Sequence, residues 1–114
     1  MNDRLEKLRE LVDSDPEDSL ARFLLGREAG GQGLHEEARE ALAAAVDIDP
    51  HYTAAYRYWG NALEALGRYE EAASVYARGA RVAEGSGDLQ AGKEMTAFLR
   101  RLERDRGVRP EDLP

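Results

Sequence analysis

Sliding the sequence against itself by 34 residues places Pro16 on Pro50, Leu25 on Trp59, Gly26 on Gly60, Gly33 on Gly67, Glu37 on Glu71 and Ala38 on Ala72. Leu42 with Tyr76, Ala45 with Gly79 and Ile48 with Val82 continue the series. Residue class is kept at positions with different physical demands, so a structural unit recurs rather than a bias of composition. A unit this short cannot bury its apolar face alone and must stack on its neighbours. The fold is therefore expected to be a stack of small hairpins.

Each unit reads as two helices. In residues 53–66, Tyr56, Trp59, Leu63 and Leu66 recur at spacings of three and four, the mark of a helix with one buried face. Gly67 ends that helix, because glycine accepts the left-handed conformation that closes many helices. Residues 69–83 follow, with Ala72, Val75, Tyr76, Gly79 and Val82 as the inner stripe. Gly60, Ala72 and Gly79 are small enough to let two helices approach closely, and Gly26, Ala38 and Ala45 do the same one period earlier. Pro16 and Pro50 punctuate the units, since proline lacks an amide proton and disfavours helix in the residue before it.

Trp59, Gly60, Leu63, Gly67, Tyr69, Ala72, Tyr76 and Gly79, taken with the period, resemble the tetratricopeptide repeat. Residues 53–86 match the better, because residues 19–52 carry His35 where Tyr69 stands and Ala29 where Leu63 stands. The resemblance implies an all-α fold, a short α-solenoid of antiparallel helix pairs winding as a right-handed superhelix.

The flanks supply what two units lack. Residues 3–13 place Leu5, Leu8, Leu11 and Val12 on one face, with Leu8 and Val12 one period before Leu42 and Val46, as in an orphan second helix. Residues 88–106 carry Leu89, Met95, Phe98, Leu99 and Leu102 at helical spacing and resemble a terminal capping helix. About six helices in one domain spanning residues 1–114 result. They are expected as three pairs: the N-terminal helix with 19–31, 35–48 with 53–66, and 69–83 with 88–106. Residues 107–114, with Pro110 and Pro114, read as a frayed tail.

Composition narrows the function. The 114 residues hold 23 acidic and 16 basic side chains, a net charge of −7, and 42% are apolar, which suits one compact domain with a continuous core. Residues 1–18 hold seven acids and three bases, and residues 19–52 six and three. A nucleic-acid binder that tracks phosphates needs the opposite balance. No cysteine is present, which removes disulfides, thiolate metal sites and thiol nucleophiles. The start is charged and no run approaches the 18 apolar residues that span a bilayer, so no membrane partner and a cytoplasmic location are expected.

No chemistry of catalysis stands out. His35 and His51 have no histidine partner at helical spacing, and the four serines lack an apparent base or a nucleophile-elbow motif. The Gly30–Gly33 segment lies between helices, whereas a dinucleotide loop follows a strand and a phosphate loop ends in glycine, lysine and a hydroxyl residue. The chain is thus expected to be non-enzymatic, without metal or cofactor. A protein or peptide partner is expected instead.

In tetratricopeptide arrays the first helix of each pair lines the inside of the curve. The resemblance assigns to that wall Leu20, Phe23, Arg27 and Gly30 in one repeat, and Ala54, Arg57, Asn61 and Glu64 in the next. Arg57 and Asn61 lie four apart on one helical face and are expected to hold a carboxylate jointly. This pair is similar to half of the family's carboxylate clamp. Tyr58 stands where the clamp has a further asparagine, and Asp88 and Gly92 where it has cations, so the full clamp is absent. Phe23 and Tyr58 are the candidates for an exposed aromatic platform. The candidate partner-binding residues are therefore Phe23, Arg27, Arg57, Tyr58 and Asn61. The rival expectation is a homo-oligomer formed through solenoid ends flanked by Leu5, Leu8, Phe98 and Leu102.

Overall fold

The computed structural model describes residues 3–109. Six helices follow in order: α1 (Asp3–Ser14), α2 (Ser19–Gly31), α3 (His35–Ile48), α4 (Thr53–Ala65), α5 (Tyr69–Ser86) and α6 (Leu89–Arg106). Among the described residues there is no strand, and no helix is long and apolar enough to cross a membrane. The fold is an all-α solenoid.

The turns are built where the periodicity placed them. Gly67 has φ 76° and Gly33, one period earlier, has φ 81°, a region that costs residues with a Cβ. Asp18 caps α2 by accepting from the Ala21 amide at 3.2 Å, and Asp88 caps α6 by accepting from the Ala91 amide at 3.2 Å. Asp88 therefore precedes the last helix rather than opening it. The second helix of the later repeat runs to Ser86, three residues beyond the expected end at residue 83, because no left-handed glycine intervenes before Gly87.

Close approach is set by missing side chains. A Cβ on Gly26 would collide with Leu42, one on Gly60 with the Tyr76 ring, and one on Gly79 with Met95 and Tyr56. The first two contacts lie within the repeats, and α2 makes its most extensive packing with α3. The three expected pairs all pack, α1 on α2, α3 on α4 and α5 on α6, and the two helices of each repeat, α2–α3 and α4–α5, pack closely on each other as well. Small residues inside each repeat decide this, since they admit the large partner one helix later. α2 also touches α4, and α4 touches α6, so these three form one wall.

Two expectations about exposure change. Leu5, Leu8 and Leu102 are buried in the core and Phe98 is half-buried against it, so none forms an open apolar end. Val108 is not frayed: it is 6% exposed and belongs to the core, because Gly107 turns the chain at φ 68°. Pro110 and Pro114 lie outside the described residues.

Ion pairs tie α1 to the stack. Arg4 meets Glu28 of α2 at 2.7 Å, and Arg9 donates to both carboxylate oxygens of Glu37 in α3 at 2.8 and 2.7 Å. The hydrogen bond from Arg9 holds the Glu37 carboxyl below the ordinary glutamate value of 4.5, and burial opposes that only in part. A carboxyl whose folded pKa is depressed stabilises the fold at neutral pH, and that contribution disappears as pH falls through the folded value. The Glu37→Gln variant is accordingly expected to lose less of its urea midpoint than the parent between about pH 5 and pH 3. Equal acid-induced losses in the two proteins would remove this pair from the account.

Candidate functional site

The inner wall of α2, α4 and α6 carries a groove in two connected parts. One part, about 350 Å³, is lined by Phe23 and Arg27 of α2, Arg57 and Tyr58 of α4, and Asp88, Glu94 and Met95 at α6. The other, about 360 Å³, is lined by Arg27, Gly30, His35, Tyr58 and Asn61. Arg27 and Tyr58 border both parts, so all five residues singled out from the sequence meet on one surface. Helical geometry accounts for this: Phe23 and Arg27 are four apart on α2, Arg57 and Asn61 four apart on α4, and the two pairs are one period apart.

Their roles differ from the sequence expectation. Phe23 is only 7% exposed; its ring stacks on Tyr52 with centroids 4.9 Å apart and meets Tyr58 edge-on at 5.6 Å. The exposed platform reduces to half-buried Tyr58, while Phe23 forms the floor beneath it. Tyr52 takes the face of Phe23 that a solvent platform would need free.

Nor do Arg57 and Asn61 act as one open receptor for a carboxylate. Arg57 forms an ion pair with Glu94 of α6 at 3.0 Å, and its guanidinium lies 5.8 Å from the centroids of both Tyr58 and Phe98. The Asn61 oxygen accepts from the Tyr76 hydroxyl at 2.7 Å. That hydroxyl also lies against a Glu64 carboxylate oxygen, which Arg101 of α6 pairs from the other side. Burial first, and then the hydrogen bond to Glu64, raise the Tyr76 phenol well above its ordinary pKa, so it stays a donor.

Arg27 is the open cation. It is exposed, lies 5.6 Å from the Phe23 ring centroid, and has no ion-pair partner among the described residues. Burial raises the Tyr52 pKa, and the charge of Arg27 is the chief influence opposing that rise. The groove is therefore bipolar, with Arg27 at one side and the carboxylates of Asp88 and Glu94 at the α6 side. Among the described residues no group of three acidic or histidine side chains is placed to hold a metal.

Glu94 is the groove residue that sequence reasoning missed. Its signal is a second periodic face on α6, in which Ala91, Glu94, Phe98 and Arg101 recur at spacings of three and four beside the apolar stripe. Gly92, by contrast, is buried and faces Ala83 of α5 rather than the groove.

Comparison with known proteins places these features in context. The family model for the tetratricopeptide repeat matches residues 5–52 and 23–88. A tetratricopeptide-repeat-containing protein of Pseudomonas aeruginosa is 37% identical over 102 residues, covering 90% of this chain and 97% of that protein. The solution structure of a protein from Bordetella parapertussis superimposes with a TM-score of 0.78 at 32% identity, covering 92% of this chain and 91% of the other. The crystal structure of the Sgt2 tetratricopeptide repeat domain from Aspergillus fumigatus matches with a TM-score of 0.75 at 25% identity, covering 93% of this chain and 71% of that one.

Proposed function

Because the chain belongs to the tetratricopeptide repeat family, whose fold generally mediates contacts between proteins, we propose that it is a non-enzymatic scaffold that seats a peptide segment of another protein in the groove of α2, α4 and α6. The observation that supports this reading most is Arg27, a cation with no ion-pair partner among the described residues, at the junction of the two parts of the groove and beside Phe23 and Tyr58. A partner's carboxylate meets Arg27 there, with the Asn61 amide hydrogens as the next donors. An apolar side chain beside it lies on Tyr58 above the Phe23 floor. Arg57 is held by Glu94 and contributes less until that pair opens.

A displayed peptide library selected on the immobilised protein tests this. Enriched peptides are expected to be acidic, and titrating one into 15N-labelled protein is expected to move the amide signals of Phe23, Arg27, Tyr58 and Asn61 first. Shifts confined to the outer helices α3 and α5 would overturn the assignment of the groove.

A further inference from the structure

The outer faces of α1 and α6 have no packed element among the described residues. On α1, Arg4 and Arg9 are drawn toward α2 and α3 by Glu28 and Glu37. That leaves Asp3, Glu6, Glu10 and Asp13 exposed along the outer face, with Lys7 as the one base among them. None of these four acids forms an ion pair among the described residues. On α6, the face turned away from the core carries Lys93, Arg100 and Arg104, all exposed, with Glu103 and Asp105 as the acids at its edge. Arg100 and Arg104 have only neighbours on their own helix, Glu103 and Asp105, in surface pairs of the weak kind.

The two rows also match in length. Asp3 to Asp13 and Lys93 to Arg104 each cover roughly 15–17 Å of helix. Beside the basic row lies an open trough of about 430 Å³ between α5 and α6, lined by Glu84 of α5 and by Leu89, Gly92, Lys93, Thr96 and Ala97 of α6. Leu89 is 67% exposed there, and Leu11, at the edge of the acidic row, is 53% exposed. α1 and α6 stand at opposite ends of a stack 40 Å long and do not pack on each other, so the faces can meet only between molecules.

We propose that the acidic face of α1 docks on the basic face of α6 of a second copy, with Leu11 covering the Leu89 trough, so that copies join head to tail. Such a contact is heterologous: each molecule keeps one acidic and one basic face free, and the solenoid continues from copy to copy. The net charge of −7 opposes association at long range. At about 0.1 M salt the Debye length is about 10 Å, which screens that repulsion across the molecule but not the attraction between touching rows; at about 1 M it falls to about 3 Å and weakens both.

Light scattering on the full chain tests this. The weight-average mass is expected to rise above 12.7 kDa with concentration at about 0.1 M salt and to return to it at about 1 M. Lys93→Glu, Arg100→Glu and Arg104→Glu together are expected to lower the association constant by about tenfold or more, as are Asp3→Lys, Glu6→Lys and Glu10→Lys together. All six positions are on solvent-exposed faces, and unchanged circular dichroism is expected to show both variants folded. Mixing the two charge-reversed proteins restores complementary faces and is expected to restore association. A wild-type mass that stays monomeric at every concentration, association indifferent to either reversal, or a mixture that stays monomeric would each overturn the proposal.

Discussion

Tyr76→Ala is expected to lower the unfolding free energy by about 3–5 kcal/mol, the usual cost of truncating a fully buried aromatic ring. Tyr76 is 0% exposed, sits in the slot left by Gly60, and meets the half-buried Phe98 ring at 5.2 Å between centroids. Its hydroxyl is a smaller part of the effect. In Tyr76→Phe, Glu64 keeps Arg101 and exposed Asn61 can turn to water, so the loss is about 1 kcal/mol. The contact with Gly60 makes the first prediction more stringent. Alanine is the better helix former by about 1 kcal/mol, yet a Cβ at position 60 meets the Tyr76 ring, and overpacking of this kind costs about 1–3 kcal/mol. Gly60→Ala is therefore expected to destabilise the wild type and to stabilise Tyr76→Ala. Urea midpoints with unchanged slopes measure both. Simple additivity of the two substitutions would show that helix α4 and helix α5 do not meet there as described.

Arg27→Glu is expected to weaken binding of an acidic groove peptide by roughly 30–100-fold, since it replaces a charge-assisted hydrogen bond with repulsion. Arg57→Ala is expected to do less. Arg57 already spends its charge on Glu94 at 3.0 Å, and a ligand must displace that carboxylate to reach it. Glu94→Gln reverses the ranking: it frees Arg57 and removes an acid from the groove, so affinity for the same peptide rises. Fluorescence anisotropy with one labelled acidic peptide compares all four proteins. Unchanged affinity in Arg27→Glu would exclude the groove as the recognition surface, whatever partner the scaffold holds.

The sequence was informative about the stack and less so about the site. Nine matched pairs at 34 residues carried the repeat, and Gly33 and Gly67 marked turns that the backbone makes with positive φ. The five candidate residues lie on one surface because a period of 34 brings α4 into the register of α2. What they do there was not legible. Phe23 has the same helical position as exposed Arg57 one period later, yet it is buried, because Tyr52 from the turn before α4 lies on its ring. The availability of Arg57 depended on Glu94, 37 residues away and outside the repeat pattern. Val108 reads as tail by composition and is held in the core only through the turn at Gly107.

The sequence by itself determined that this protein is a stack of helical hairpins, where each hairpin turns, and which small residues admit a close neighbour, because spacing and side-chain size along one helix fix those locally. Only the tertiary structure decided which polar side chains are already engaged: the pairing of Arg57 with Glu94, of Asn61 with Tyr76, and the lack of an ion-pair partner for Arg27 among the described residues. Hydrogen bonds and ion pairs form over about 3 Å, and which side chains approach that closely across three helices depends on how the helices sit against one another, a relation that no spacing within a single helix encodes.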